Sequence, residues 1–362
     1  MINIVWALMV IVFIRLLTAI LNYLTMSLIK LSSADGEKNL PSLSVLIPAR
    51  NEEENILNLL KDLSKLSYPD MEIIVYDDLS NDKTAEIVKS FIKNKKNFSL
   101  IDGQDLPTGW LGKNNACFQM ANQAKGNYLL FLDADVRIKD GILDKAVNYQ
   151  QEQRLKLLSI FPKQLMFTPG EKLTVPLMNW ILLSLLPLIL IRICRWPIFS
   201  AANGQFLMFE TATYRKLLPH KKFRKHRVED IAIMHYYKKK KEKVAVLLGE
   251  DSISCRMYKS YNDAINGFSK NIFHFFGGSK ILTLTFLIIT TLSPLILLII
   301  NGLVPFLIYI SAIIFIRIFT SLSSRQSICD NVFLMPLQQF SLIRIIFAAI
   351  NKHNLLWKER PV

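Results

Sequence analysis

Charged residues are scarce in this 362-residue sequence, and Asp, Glu, Lys and Arg together account for 20% of it. Soluble globular proteins carry about 25% charged residues, so part of this chain is expected to lie in lipid. The low charge and the aromatic content of 10% also exclude an intrinsically disordered chain and a coiled coil.

Cysteine is also scarce, and acidic residues are outnumbered by basic ones. Cys117, Cys194, Cys255 and Cys329 form no C-x-x-C pair and no metal-binding spacing, which predicts reduced thiols in a cytosolic compartment. Lys and Arg (44) exceed Asp and Glu (29) and leave a net charge of +15. In a membrane protein this excess is typical of cytoplasmic loops and of contact with anionic lipid. We therefore expect neither a secreted protein nor a nucleic-acid partner.

Long apolar runs stand at both ends of the chain. Residues 4–29 are mostly apolar, with Arg15 as their one charged residue, and this length spans a bilayer with some tilt. The run is too long for the apolar part of a cleaved signal peptide and no small-x-small cleavage site follows it, which favours a membrane anchor over residues 1–30. A second apolar block is broken at Asn301-Gly302, which predicts a transmembrane hairpin over residues 281–320.

The basic residues Lys30 and Lys38 follow the first run and place the next domain in the cytoplasm, on the inner (plasma) membrane. The hairpin then returns the chain to the same side. Residues 332–350 are apolar but interrupted by polar side chains, so we predict an interfacial helix within residues 321–362. A basic cytoplasmic tail follows it, with Lys352, His353, Lys358 and Arg360.

Residues 173–193 are nearly all apolar, yet they contain Pro176 and Pro187 and have polar, motif-bearing sequence on both sides. A single crossing of the membrane would separate the acidic motifs on either side of this segment. We therefore predict an interfacial or re-entrant segment. A buried core helix is the alternative that length and composition leave open.

The middle of the chain alternates short apolar runs with stretches of helical periodicity. Strands are predicted at residues 43–48, 71–76, 98–101 and 128–132, and helices at residues 52–66, 82–93 and 113–125. This alternation is typical of an α/β domain with a parallel sheet covered by helices on both faces. In such sheets ligands bind at the carboxyl ends of the strands.

Carboxylates follow two of these strands. Asp133 and Asp135 come directly after the strand at 128–132, where both can reach a hard cation such as Mg²⁺ or Mn²⁺, although such pairs are also common on solvated turns. Asp77, Asp78 and Asp82 follow the strand at 71–76. Asp78 is the functional candidate there, and Asp82 is the candidate for a helix cap.

Two further features have both a chemical and a structural interpretation. Glu229-Asp230 precedes an apolar helix start within a strongly basic stretch, and a carboxylate there is either a general base or a helix cap. The Lys238–Lys241 cluster is best explained as a solvated or lipid-headgroup face. Trp110 and Trp180 are either stacking platforms for a sugar or acceptor, or aromatic residues at a membrane interface.

Taken in order, these motifs resemble the membrane-associated glycosyltransferases of family 2, which have a GT-A fold. The segments that carry the resemblance are Ser44-Val-Leu-Ile-Pro48-Ala-Arg50-Asn51-Glu52-Glu53, Asp77-Asp78-x-Ser80-x-Asp82-x-Thr84, Pro107-x-Gly109-Trp110-x-Gly112-Lys113, Leu132-Asp133-Ala-Asp135, Ala202-Asn203-Gly204-Gln205-Phe206 and Glu229-Asp230. The Trp110 segment, together with Arg256-Met257-Tyr258 and Gly267-Phe268-Ser269-Lys270-Asn271, is most similar to enzymes that glycosylate apolar lipids, namely the bacterial carotenoid-acid (diaponeurosporenoate-type) and hopanoid-associated glycosyltransferases.

The resemblance implies a fold and a role for each matching residue. The fold is a Rossmann-like GT-A domain over residues 41–280, with a mainly parallel mixed sheet and transmembrane helices before and after it. The implied donor-binding residues are Pro48, Arg50, Glu52, Asp78, Lys113 and Asp133. Asp133 and Asp135 would hold Mg²⁺ or Mn²⁺ on the sugar diphosphate. Asp230, with Glu229 beside it, would be the catalytic base, and Gly204, Gln205 and Trp110 would contact the acceptor.

The Gln/Arg-x-x-Arg-Trp motif that many members carry is missing. Lys270 is the cation available for the leaving group, although a surface lysine fits the sequence nearly as well.

The expected activity is inverting transfer of a sugar from a nucleotide donor, UDP-hexose, to a carotenoid acid or other apolar lipid at the cytoplasmic leaflet. A polyprenyl-phosphate or polysaccharide glycosyltransferase of the same fold is the alternative. The non-enzymatic alternative is a catalytically silent membrane scaffold, and the retained acidic motifs argue against this alternative.

Overall fold

The computed structural model describes residues 2–28, 40–351, 356–357 and 360–361. The predictions that rest on Lys30, Lys38, Lys352, His353 and Lys358 concern residues outside this description. The chain divides into two compact units. A helical unit consists of residues 1–29, 164–188 and 256–355, and an α/β unit consists of residues 30–163, 189–255 and 356–362.

The secondary structure elements are numbered in chain order. The strands are β1 (Leu43–Ala49), β2 (Met71–Asp77), β3 (Phe98–Asp102), β4 (Tyr128–Leu132), β5 (Val136–Ile138), β6 (Leu157–Phe161), β7 (Lys163–Gln164), β8 (Phe206–Glu210), β9 (Val244–Leu248), β10 (Ile253–Cys255), β11 (Leu356–Trp357) and β12 (Arg360–Pro361). The helices are α1 (Ile2–Leu28), α2 (Ile56–Leu63), α3 (Thr84–Ile92), α4 (Gly112–Gln123), α5 (Ile142–Glu152), α6 (Pro169–Thr174), α7 (Pro176–Leu185), α8 (Leu188–Ile193), α9 (Thr211–Leu217), α10 (Pro219–Lys222), α11 (Glu229–Lys239), α12 (Tyr261–Asn271), α13 (Lys280–Asn301), α14 (Leu303–Ser324), α15 (Ile328–Phe333) and α16 (Met335–Asn351), with a 3₁₀ helix at Ile272–Phe276.

A seven-stranded sheet forms the centre of the α/β unit, in the order β3-β2-β1-β4-β8-β6-β9. β1 pairs in parallel with β2 and β4, β2 with β3, and β6 with β9, whereas β8 runs antiparallel to β4 and β6. Every residue of β4 and β6 is buried. Because strands covered on both faces need apolar side chains on both, β4 and β6 do not alternate between apolar and polar residues, and only Ser159 interrupts the apolar run of β6. The prediction of a mainly parallel mixed sheet is confirmed.

The predicted strands and helices of this unit are present, with shifted boundaries. The largest shift is at α2, which begins at Ile56 instead of residue 52 because the amide groups of Asn55 and Ile56 both donate to the Glu52 carbonyl in a turn. Ile56, Leu59, Leu60 and Leu63 are buried on one face of α2, as their helical spacing predicts.

The topology brings loops from distant parts of the chain to one edge of the sheet. β1, β2 and β4 are parallel, so the residues that follow Ala49, Asp77 and Leu132 all emerge at the carboxyl edge. β8 runs the opposite way and pairs Phe206 with Leu132. The residues before β8 therefore reach the same edge as the residues after β4, and this places the 202–205 segment beside Asp133.

Three helices of the helical unit are long and apolar enough to cross a membrane, over Val5–Thr25, Lys280–Asn301 and Leu303–Ser324. The last two meet at Gly302, whose positive φ of 81° allows the predicted break between them. Within the described residues α16 is not among these candidates. Its Gln338 is buried and accepts a hydrogen bond from Arg317 at 2.7 Å, so this interruption of the apolar run faces the interior of the unit.

The apolar stretch at 173–193 is broken into α6, α7 and α8, and α7 has only ten residues, too few to span a bilayer. The helical backbone is interrupted between α7 and α8, at Leu186-Pro187. Asn22 of α1 satisfies the backbone there, since its side-chain amide donates to the Leu183 and Leu186 carbonyls and its oxygen accepts from the Leu188 amide. Non-helical backbone at membrane depth requires such internal partners. The interfacial or re-entrant position of this segment stays a prediction.

Trp180 of α7 is buried beside two arginines of the helical unit. The guanidinium carbons of Arg317 and Arg15 lie 4.1 and 5.0 Å from its ring centroid, and the ring of Phe286 lies 5.5 Å away. A tryptophan enclosed in this way offers no open face to a sugar, so the interpretation of Trp180 as a stacking platform is wrong. The aromatic face serves instead as the partner of two buried cations.

Replacement of Trp180 by alanine should destabilise the helical unit, because it leaves a cavity and removes the aromatic face shared by Arg15 and Arg317. We expect a loss of about 3–5 kcal/mol and a clearly lower melting temperature for the full chain in detergent. The matched control is Trp6→Ala on α1, because the Trp6 side chain is 66% exposed. An equal effect of the two substitutions would contradict the packing role of Trp180.

Candidate active site

The loops after β1 and β2 are tied together by the buried side chain of Arg50. Its Nη1 atom donates to the Asp78 carbonyl at 2.5 Å and to the Leu79 carbonyl at 2.8 Å. The Asp78 amide donates in turn to the Ala49 carbonyl at 2.8 Å. Arg50 therefore positions the Asp78 loop, and the two residues lie together at the carboxyl edge as predicted. Pro48, within β1, lies at the same edge.

Asp82 stands one residue before the N-cap of α3, which is Lys83, so the interpretation of Asp82 as the cap residue is off by one position. Its carboxylate accepts from the Thr84 amide at 2.9 Å, at the first residue of α3, and from the Glu53 amide at 3.1 Å. Glu52 belongs to the same pair of loops, because its amide donates to the Thr84 hydroxyl at 2.8 Å. These bonds hold the loops after β1 and β2 together at the sheet edge.

Lys113 stands in the first turn of α4 and contacts carboxylates from two other elements. Its Nζ atom lies 2.7 Å from Asp133 Oδ1, just after β4, and 3.7 Å from Glu229 Oε1, at the start of α11. Burial by itself lowers the pKa of Lys113, but the charges of Asp133 and Glu229 outweigh burial and raise this pKa well above its ordinary value. The ammonium group thus stays charged and links the two acidic motifs.

Asp230 is held by backbone amides on both of its oxygens. Oδ2 accepts from the Gly204 amide at 2.9 Å and Oδ1 from the Ile231 amide at 2.8 Å. A Cβ atom on Gly204 would lie 3.2 Å from Lys113 Nζ and 3.7 Å from Asp230 Oδ2, so the missing side chain permits this close approach. Burial raises the pKa of Asp230 and raises the pKa of Glu229 to about 7. A carboxylate with a raised pKa is a stronger base.

Asp135 lies beside a glutamine and a cysteine in the interior. The Gln205 amide nitrogen donates to Cys255 Sγ at 2.7 Å and lies 3.5 Å from Asp135 Oδ2. Burial, together with the charge of Asp133, raises the pKa of Asp135 to about 7. Cys255 is an isolated cysteine in the sequence, and no spacing signal there points to this contact.

The Asp133 and Asp135 carboxylates suit a hard divalent cation. Asp135 Oδ1 is buried and has no hydrogen-bond partner among the described residues, which leaves a carboxylate oxygen for a cation. In the part of the chain that the structure describes, no cluster of three or more His, Cys, Asp or Glu side chains is arranged to hold a metal. A cation held by two carboxylates takes its other ligands from water and substrate phosphates, as Mg²⁺ commonly does.

The remaining predicted residues differ in their surroundings. Trp110 precedes α4, and its half-buried ring packs against Phe118 at a centroid distance of 5.3 Å. The loop after Trp110 is anchored by a bond from the Leu111 amide to the Arg224 carbonyl at 2.8 Å. Lys270 lies on α12 of the helical unit, outside the α/β unit that contains the other site residues. Its role at the leaving group stays a prediction.

Comparison with known proteins connects these features to a family. Residues 44–184 match the family described as "Glycosyl transferase family 2". The chain is 30% identical over 240 residues to the 4,4'-diaponeurosporenoate glycosyltransferase of Staphylococcus haemolyticus, which covers 64% of this chain and 61% of that protein. It is 28% identical over 248 residues to the protein of the same name from Staphylococcus aureus, with coverage of 67% and 64%. The chain therefore spans less than two thirds of the length of these relatives.

A solved structure supports the fold class. The mannosyltransferase PcManGT from Pyrobaculum calidifontis, determined in complex with GDP-Man and Mn²⁺, aligns with a TM-score of 0.52 and 16% identity. The alignment covers 96% of this chain and 98% of that one. At this identity the likeness concerns the fold alone, and it confirms the predicted GT-A architecture.

Replacement of Lys113 by methionine should destabilise the α/β unit in a pH-dependent manner. The substitution keeps an apolar stem but removes the charge shared by Asp133 and Glu229, and we expect a loss of about 1.5–3 kcal/mol near pH 8. The pKa of Glu229 is raised to about 7 in the folded state. Stability contributed by such a group falls as the pH rises from the unfolded pKa toward the folded one, because the native state binds the extra proton.

The measurement is thermal unfolding of the full chain in detergent with EDTA, at pH 6 and pH 8. The difference in melting temperature between wild type and Lys113→Met should be smaller at pH 6, where Glu229, with a pKa of about 7, is mostly protonated. Lys216→Met, at an exposed position on α9, is the matched control and should leave the melting temperature unchanged at both values. The same loss at both pH values would show that Lys113 does not neutralise Glu229.

Proposed function

We propose that this protein is a membrane-bound, inverting glycosyltransferase, because residues 44–184 match the family described as "Glycosyl transferase family 2". It transfers a hexose from a UDP-sugar to an oxygen atom of an apolar lipid such as a carotenoid acid. One observation carries the proposal. Lys113 lies 2.7 Å from Asp133 and next to Gly204, whose amide holds Asp230. Lys113, a cation suited to the donor diphosphate, and Asp230, a carboxylate suited to deprotonating an acceptor, thus lie together at one edge of the sheet.

Asp230 acts as the general base. Its carboxylate takes the proton from the acceptor hydroxyl or carboxylic acid, and the acceptor oxygen forms a bond to the anomeric carbon of the sugar. The bond from that carbon to the diphosphate oxygen breaks, and the nucleoside diphosphate leaves with the bonding electrons. Attack from the face opposite the leaving group inverts the configuration. Glu229, beside Asp230 and close to Lys113, supports the charge balance of this step.

The donor is bound by residues of the carboxyl edge. Pro48, Arg50, Glu52 and Asp78 form the pocket for the base and ribose, with Arg50 holding the Asp78 loop in place. Mg²⁺ or Mn²⁺ held by Asp133 and Asp135 would supply positive charge for the diphosphate oxygens. Lys113 contributes a further cation beside Asp133, and Lys270 is proposed for the leaving group.

The acceptor is a lipid of the bilayer. Three helices of the chain are long and apolar enough to cross a membrane, and the two staphylococcal relatives are named for a carotenoid acid. We assign Gly204, Gln205 and Trp110 to the acceptor side of the site. The net charge of +15 supports a catalytic domain on the cytoplasmic side of the plasma membrane, where basic residues accumulate.

Loss of either key carboxylate should abolish transfer. Membranes that contain the protein are incubated with Mn²⁺, a panel of labelled nucleotide sugars and a lipid extract, and label is counted in the organic phase. We expect Asp230→Asn and Asp135→Asn to reduce transfer by about 10²–10⁴-fold, because the base and the metal ligand are lost. The isosteric control is Asp70→Asn, an exposed aspartate that precedes β2 at the opposite edge of the sheet, and it should retain full activity.

The stability of the product distinguishes the acceptor classes. Base-labile label in a pigmented or neutral lipid supports transfer to a carotenoid acid or a related acceptor. Label released by mild acid would identify a polyprenyl phosphate instead. Full activity of Asp230→Asn would refute the assignment of the base. No label from any donor, with folded protein and no nucleotide binding, would favour the scaffold.

Removal of divalent cations should stop transfer reversibly. After treatment of wild-type membranes with EDTA we expect activity to disappear, and addition of Mg²⁺ or Mn²⁺ should restore it because the two carboxylates then regain their cation. The same additions should leave Asp135→Asn inactive. Undiminished transfer in EDTA would contradict a metal site at Asp133 and Asp135.

A further inference from the structure

A cavity of about 360 Å³ opens in the α/β unit, away from the residues of the candidate active site. It lies between the end of α8 with the residues that follow it, and the end of α11 with the start of β9. This volume is within the range of small-molecule sites, about 300–1,000 Å³. The ionisable side chains that line it are mostly cationic, namely Arg192, Arg195, Lys238, Lys241 and Lys243, with the single carboxylate of Glu242.

Lys238 is the most buried of these cations. Its side chain is almost fully enclosed, and Nζ donates to the Ile191 carbonyl at 3.1 Å and to the Phe199 carbonyl at 2.7 Å. Both partners are neutral, so they orient the ammonium group without cancelling its charge. Burial lowers the pKa of Lys238 to about 8, which keeps the group mainly protonated at pH 7. A buried positive charge of this kind favours an anion beside it.

The other cations of the cavity have no carboxylate partner in the part of the chain that the structure describes. Within residues 40–351, none of the ion pairs includes Arg192, Arg195, Lys241 or Lys243. Arg192 is instead oriented by a bond from Nη1 to the Tyr149 hydroxyl at 3.1 Å. Five cations around one cavity, with one carboxylate among them, repel one another unless an anion lies between them.

Apolar side chains are exposed in the segment that contributes Arg192 and Arg195. Ile193, Trp196 and Ile198 are 63%, 68% and 79% exposed. The Trp196 ring is stacked on Phe199 with an interplanar angle of 11°, which presents it as a fixed surface. Exposed tryptophan and isoleucine beside clustered basic residues are typical of protein surfaces that lie in the headgroup region of a bilayer.

We propose that this cavity binds the phosphate headgroup of an anionic phospholipid, while Ile193, Trp196 and Ile198 insert into the membrane interface. The cations match the phosphate in charge. The exposed apolar side chains match the acyl region, and a free phosphate ion would leave them in water. The same chain has three helices that are long and apolar enough to cross a membrane, so we expect the protein to lie at a bilayer. This site does not depend on the proposed transfer reaction.

The test compares two charge-matched double variants of the full chain purified in detergent. Arg195→Gln/Lys243→Gln removes two cations from the cavity lining. Lys239→Gln/Lys240→Gln removes two cations from exposed positions in the same basic run that do not line the cavity. Native mass spectrometry counts the bound lipids during titration with phosphatidylglycerol or phosphatidylcholine, and melting temperatures check that each variant is folded.

The wild-type protein should bind phosphatidylglycerol at least tenfold more tightly than phosphatidylcholine. The cavity variant should lose about thirtyfold in affinity for phosphatidylglycerol, as expected for two basic residues at a lipid surface, and the control variant should stay within about twofold of wild type. Equal losses of affinity in both variants would show that binding depends on the total charge of the basic run and not on the cavity, and this would overturn the proposal. Equal affinity for the two lipids in the wild type would also overturn it.

A third variant separates a lipid from a free anion. Trp196→Ser/Ile198→Ser should weaken binding of phosphatidylglycerol, because the apolar contact is lost while every cation remains. Inorganic phosphate, added in millimolar excess, should displace little of the lipid from the wild type. Complete displacement by inorganic phosphate, together with unchanged lipid binding by this variant, would identify a site for a soluble phosphate group and overturn the lipid assignment.

Discussion

The ammonium group of Lys113 allows acidic side chains from distant segments to lie close together in a poorly hydrated site. Asp133 and Glu229 both contact it, and Asp230 lies with it beside Gly204. Without a cation these carboxylates would repel one another and take up protons. The raised pKa values of Glu229 and Asp230 show that protein groups alone do not fully offset the burial of these two carboxylates. The site is therefore prepared for further positive charge, which in a donor complex would be that of a divalent cation.

The direction of β8, the strand that runs antiparallel to its neighbours, determines which residues reach the site. β8 carries the 202–205 segment back to the edge at which β4 ends, so Gly204 and Gln205 lie beside Asp133 and Asp135. In a sheet with only parallel strands the segment before β8 would lie at the opposite edge. Glycine at position 204 then lets Lys113 and Asp230 approach each other. Strand direction and one missing side chain together determine how Lys113 and Asp230 come to lie beside each other.

In the helical unit, buried polar groups find their partners in an aromatic ring and a side-chain amide. Arg15 and Arg317 are buried among apolar helices, and both guanidinium groups lie over the ring of Trp180. Asn22 supplies the hydrogen bonds that the backbone loses at Leu186-Pro187. Both arrangements follow from the same constraint, because groups that cannot reach water need partners within the protein. They keep a broken apolar segment folded next to helices long enough to cross a bilayer.

The local patterns of the sequence determined the strands, the helices and the acidic residues at the strand ends. Apolar runs closed by proline or aspartate depend on neighbouring residues only, so β1, β2 and β4 and the positions of Asp78, Asp133 and Asp135 were predictable. The family resemblance added Lys113 and Gly204, and it implied the role of base for Asp230, which the sequence pattern left open between a base and a helix cap. Contacts between distant segments were decided by the tertiary structure alone. The Lys113–Glu229 contact, the Gln205–Cys255 bond and the burial of Trp180 each require a particular strand pairing or helix packing, and no local pattern encodes them.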